Sequence, residues 1–120
     1  MIIGHVRDKL PRVILTLAGR EERVQVEFVV DTGFDGALAV PPSVLNVLDA
    51  TFVARQAVQL AGKVVRRTAY YSVEIEWDGA SRLVEAMLVD GRPLMGYEVM
   101  EGGLLQIEMT DGGEVSIDAS

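Results

Sequence analysis

The sequence predicts a single mainly β domain, a closed or nearly closed antiparallel β-barrel with one or two short helices. Three observations predict it. Apolar and polar residues alternate with a period of two in several separate runs, and residues of turn chemistry stand between those runs. The helical segments are too short to form a layer of their own. The chain of 120 residues is one domain long, taken as residues 1–120 without linker, low-complexity run or internal repeat.

Taken in order, Val13–Leu17 is the first alternating strand, and Ala18-Gly19-Arg20-Glu21 is the turn that follows it. Val24–Val30 is the second strand, apolar enough at its end to be buried. Pro42–Leu48 follows a proline pair and reads as a helix, because proline is preorganised for a first helical turn. Val58–Val65 places apolar and polar residues on both sides of Gly62, as a hairpin does. Val73–Trp77 alternates again and ends in Asp78-Gly79, a hairpin turn pair. Ala86–Val89 is an apolar run closed by Asp90-Gly91, and Pro93–Glu101 reads as a second helix stopped by Gly102-Gly103. Leu105–Met109 is a strand, Asp111-Gly112-Gly113 a turn, and Val115 and Ile117 alternate in the last segment.

Composition excludes several function classes. Eleven Lys and Arg stand against eighteen Asp and Glu, for a net charge of −7, which repels nucleic-acid phosphates. Arg66-Arg67 is too short to be a basic patch. No apolar run is long enough to span a bilayer, and the first residues lack the pattern of a signal peptide, so a cytoplasmic protein is expected. Cysteine is absent and His5 is the single histidine, so thiolate chemistry, a zinc site and a Ser-His-Asp triad lack their parts. No cofactor or metal is expected, and any catalysis must run on carboxylates.

The informative stretch is Phe28-Val29-Val30-Asp31-Thr32-Gly33-Phe34-Asp35-Gly36. An apolar strand ends in an acid, a hydroxyl and a glycine. A carboxylate at a buried strand end is costly unless hydrogen-bonded, the Thr32 hydroxyl can bond nearby backbone, and Gly33 permits a close backbone approach. That combination holds an acid rigidly.

Apolar-apolar-Asp-Thr-Gly, then a hairpin, then the apolar-apolar-Gly segment Leu94-Met95-Gly96, resembles the retropepsin-like aspartic proteases. Met1–Pro11, the Asp31-Thr32-Gly33-Phe34 form of the motif and Leu38-Ala39-Val40-Pro41-Pro42 resemble its small prokaryotic single-domain members, and the resemblance extends over about residues 10 to 118. It implies a homodimeric aspartic endopeptidase with Asp31 as the catalytic acid, supported by Thr32 and Gly33. Gly33, Asp35, Ala61 and Gly62 would then face the peptide, with Leu94, Met95 and Gly96 behind the catalytic turn. Hydrolysis by this route needs two carboxylates sharing one proton, and the chain has one Asp-Thr-Gly, so the second comes from another copy across a two-fold axis.

Two residues depart from the family. Phe34 stands where retroviral enzymes have a small residue, and a ring there would desolvate the acids or narrow the cleft and so shift the working pH. Tyr97 stands where they usually have the arginine that pairs with the acid at position 35, which leaves Arg7, Lys9 or Arg12 as partners for Asp35. The segment Gly113–Asp118 is expected to pair the subunits. The alternative to the enzyme is a non-catalytic dimeric peptide-binding or interaction module on the same fold.

Overall fold

The structure, a computed structural model, describes residues 1–59, 62 and 65–119. Its elements in chain order are β1 (Ile2–Arg7), β2 (Leu10–Ala18), β3 (Arg23–Val30), β4 (Leu38–Val40), α1 (Pro42–Leu48), β5 (Thr51–Gln59), β6 (Val65–Trp77), β7 (Ala80–Leu88), β8 (Leu94–Met95), α2 (Tyr97–Met100), β9 (Leu104–Ile107) and β10 (Glu114–Asp118). The strands join in one sheet of order β5-β6-β7-β4-β8-β3-β2-β1-β10-β9. A further pairing of β2 with β6, Leu17 opposite Ile75, turns the segment from β6 to β2 into a ring of paired strands. Phe28, Leu17, Leu38, Ile75 and Met95 fill its inside and are fully buried. The alternation in β2, β3 and β6 places Leu17, Phe28 and Ile75 there, since successive residues of a strand face opposite sides.

Not every pairing is antiparallel. β3 pairs with β8 in parallel, Val29 opposite Leu94 and Val30 opposite Met95, and β4 pairs with β7 in parallel. Both short strands enter the sheet through connections longer than a hairpin, so nothing forces the antiparallel direction. The predicted helix over Pro93–Glu101 is correspondingly shorter. Leu94 and Met95 are spent on β8, where Val29 donates to the Pro93 carbonyl at 3.0 Å and Asp31 to that of Met95 at 2.9 Å, leaving only Tyr97–Met100 helical. α1 matches its predicted bounds, with Pro42 in the first turn and Asp49 in the left-handed conformation at its end.

The opening residues form β1, which the sequence reading left unassigned. Asp8 and Lys9 both take positive φ, 51° and 66°, and make the tight turn into β2 without the glycine that usually announces one. β10 then pairs with β1 on one side, Gly4 opposite Val115, and with β9 on the other, Val115 opposite Ile107. Both of its edges are therefore occupied within the chain, which corrects the expectation that Gly113–Asp118 is the segment open to a second subunit. β9 starts at Leu104 and stops at Ile107, short of the predicted Met109, because Thr110 folds back to donate to the Glu108 carbonyl at 2.8 Å.

On the outer face Arg7 grips Glu27 with both terminal nitrogens, one at 2.8 Å from Oε2, and Arg12 reaches the same carboxylate at 3.3 Å. The hydrogen bond from Arg7 holds the Glu27 carboxyl below its ordinary range, with burial opposing it. A lowered folded-state value contributes stability at neutral pH that is lost as pH falls through the ordinary carboxylate range to the folded value. The melting temperatures of wild type and Arg7→Ala should therefore differ most at neutral pH and converge as the pH falls below the ordinary carboxylate range; a gap that widens in acid would contradict the assignment.

Candidate active site

Asp31 is the first residue after β3, and its position is set from two sides. Its backbone N–H belongs to the bond with Met95, and its carboxylate Oδ1 accepts the Gly33 N–H at 3.0 Å. The carbonyl of Asp31 accepts from Phe34 N–H at 3.2 Å, closing the Asp-Thr-Gly turn. Asp31 is half-buried, and Thr32 and Gly33 are exposed. This is an acid at the mouth of a strand, anchored by backbone and open to solvent on one side.

The segment after β8 backs this turn. Gly96 donates to the Ala37 carbonyl at 2.8 Å, Tyr97 to that of Phe34 at 2.8 Å and Glu98 to that of Gly36 at 3.2 Å. The approach is so close that a Cβ on Gly96 would lie 2.1 Å from the Gly36 carbonyl oxygen. Met95 and Gly96 are thus hydrogen-bonded to the segment from Asp31 to Ala37, and Met95 is fully buried.

The Phe34 ring lies against the same two glycines. Cβ atoms on Gly36 and Gly96 would each meet it at 2.7 Å. The ring packs on the back of the turn and also walls a depression of about 280 Å³, shared with Asp35, Gln56, Tyr70, Glu85 and Glu98. Tyr70 donates its hydroxyl to Met87 Sδ at 3.4 Å, and burial first, then the Asp35 and Glu85 carboxylates, push its hydroxyl's ionisation upward. Gln56, Glu85 and Glu98 were not legible as neighbours of Asp35, because they come from β5, β7 and α2 and share no local motif.

Arg7 and Arg12, two of the cations expected to reach Asp35, are engaged with Glu27 instead. Among the described residues Asp35 forms no ion pair, and no three acidic or histidine side chains are grouped to hold a metal.

The hairpin of β5 and β6 stands over the Asp35 side. It pairs from Thr51 opposite Ser72 to Gln59 opposite Val65, and its outer half, Arg55 to Gln59 and Val65 to Arg67, is mostly exposed on both faces. Gly62 at its tip has φ of 80°, the left-handed conformation a tight tip requires, whereas Ala61 lies outside the described residues. On the other side of the turn a second depression, about 160 Å³, is walled by Thr32, Tyr97, Met100, Gly102 and Leu105 of β9.

No protein-family model and no curated protein matches the sequence. Among solved structures the chain is similar to the EIAV protease complexed with the inhibitor HBY-793, with a TM-score of 0.60, 15% identity, and coverage of 78% of this chain and 88% of that one. The fold is retropepsin-like. Among the described residues no helix is long and apolar enough to cross a membrane.

Proposed function

We propose that the chain is one half of a homodimeric aspartic endopeptidase, with its ring of strands forming the barrel and Asp31 of two copies forming the catalytic pair. The observation that carries the reading is the Asp31 turn: a carboxylate hydrogen-bonded by Gly33, clamped by the Leu94-Met95-Gly96 segment, and open to solvent within a retropepsin-like fold. Thr32 and Gly33 support the turn. Gly33, Asp35 and Gly62 line the path of an extended peptide, which gains main-chain hydrogen bonds as an added strand.

One carboxyl of the pair is ionised and its twin is protonated. The ionised one takes a proton from water as the water oxygen bonds to the peptide carbonyl carbon. The protonated one gives its proton to the carbonyl oxygen. In the collapse of the tetrahedral intermediate the carboxyl that took the water proton gives it to the leaving nitrogen, the C–N bond breaks, and a hydroxyl of the intermediate returns a proton to the other carboxylate as the carbonyl reforms. A carboxylic acid and an amine depart, and the pair again shares one proton.

The test is cleavage of a diverse peptide mixture from acidic to neutral pH, read by mass spectrometry, at protein concentrations spanning the monomer–dimer transition. The expected result is cleavage whose rate rises with the square of concentration in the monomeric range, since each site needs two chains. A dimer that binds peptides but releases no products at any pH would replace the enzyme with the peptide-binding module.

A further inference from the structure

Arg82 carries a charge that the reaction above does not use. It lies on β7, on the face that Val84 and Ala86 turn inward, and both of those residues are buried. Arg82 is itself half-buried. A cation so placed calls for a polar partner, yet among the described residues it forms no ion pair. Its guanidinium lies over the Trp77 ring, 5.8 Å from the ring centre, and one terminal nitrogen donates to the backbone carbonyl of Val99 at 2.9 Å. Trp77 belongs to β6, which sets Ile75 opposite Arg82. Ring and strand together aim the side chain at α2.

α2 lacks what Arg82 supplies. Tyr97–Met100 is a single turn, too short to be held by hydrogen bonds along its own axis. No side chain caps its start, and no basic residue stands in its last turn. Its first N–H groups are taken by the acid turn, where Gly96, Tyr97 and Glu98 donate to Ala37, Phe34 and Gly36. At the other end Met100 accepts from the Gly103 N–H at 2.9 Å and Val99 accepts from Arg82. Among the described residues Arg82 is the one side chain that donates to the backbone of α2. A cation at the last carbonyls of a helix also stands where the peptide dipoles favour it.

The hydrogen bonds run on to the catalytic acid. Phe34 N–H donates to the Asp31 carbonyl, Tyr97 N–H donates to that of Phe34, and Val99 in the same helical turn is held by Arg82. We infer that Arg82 is a positioning residue for Asp31 and acts through α2. By fixing the Val99 carbonyl it keeps Tyr97 and Glu98 bonded to the acid turn, and the turn keeps the carboxyl in place. This inference rests on the enzymatic reading above, in which Asp31 reacts. A displacement of about 1 Å at a reacting group costs on the order of a hundredfold in rate. Arg82 walls neither depression beside the turn, so its loss should act on kcat and spare KM.

Arg82→Met keeps an unbranched stem and removes the donor. It should lower kcat for peptide cleavage about tenfold or more and leave KM within about twofold, at concentrations where sedimentation shows a dimer. Arg82→Lys returns a cationic donor and should recover most of the loss. Amide hydrogen exchange should quicken at Tyr97 and Glu98 in the Met variant and stay unchanged in β10. Arg82→Gln keeps a polar group at this half-buried position, but its amide stops short of Val99, so it should show the same fall in kcat even if the Met variant does not fold. Wild-type kcat in the folded neutral variants, with only a lower midpoint in urea, would make Arg82 a purely structural residue while leaving the enzyme standing. Wild type that cleaves no peptide at any pH would remove the enzyme and the role of Arg82 with it.

Discussion

Asp31→Asn is expected to abolish peptide hydrolysis, lowering it at least about a thousandfold, while the protein folds and dimerises as before. The substitution is isosteric. The amide oxygen can still accept the Gly33 N–H that Oδ1 now accepts at 3.0 Å, and the backbone bonds to Met95 and Phe34 do not involve the side chain. The stability change should therefore stay within about 1 kcal/mol, the worth of one weakened hydrogen bond. What disappears is the proton exchange, because an amide neither takes a proton from water nor gives one to a carbonyl. Mass spectrometry of peptide products beside a urea melt separates the two effects. Undiminished cleavage by a rigorously purified variant would remove Asp31 from the chemistry.

Gly96→Ala is expected to cost about 3 kcal/mol or more and to disable the site with it. The new methyl carbon would stand 2.1 Å from the Gly36 carbonyl oxygen and 2.7 Å from the Phe34 ring, and backbone cannot give way as a side chain end can. The φ of Gly96 is −100°, available to any residue, so the penalty comes from contact and not from backbone strain. Relief requires parting α2 from the turn that follows Asp31, which breaks the bonds from Gly96, Tyr97 and Glu98. Gly62→Ala is the control. Among the described residues nothing lies within 4 Å of its Cβ, and its φ of 80° penalises a side chain by about 1 kcal/mol. Equal midpoints in urea for the two variants would show that the Gly36–Gly96 approach is looser than its geometry.

The pairs of elements that sequence reading located well are those whose signals are local. α1 was legible because Pro42 sets its own φ, and β3 because its alternating apolar residues face one core. β8 was not, since Leu94 and Met95 are as apolar as helix residues and become a strand only because the edge of β3 offers them backbone partners. β1 escaped notice for a related reason: Asp8 and Lys9 adopt a glycine-like turn that their identities do not advertise.

The same division runs through the site. Asp31, Thr32 and Gly33 stand out as a candidate turn because their spacing and the apolar strand before them are written in consecutive residues. The sequence by itself determined the local signals: alternating strand runs, the turn residues between them and a single Asp-Thr-Gly. Only the tertiary structure decided what surrounds it: Phe34 packed on two glycines, Arg7 and Arg12 spent on Glu27, Gln56 and Glu85 drawn to the Asp35 depression, and β10 enclosed so that β9 is left at the edge. These outcomes depend on which strands become neighbours, and strand order is set by competition among distant backbone and side-chain partners that no short window of sequence contains.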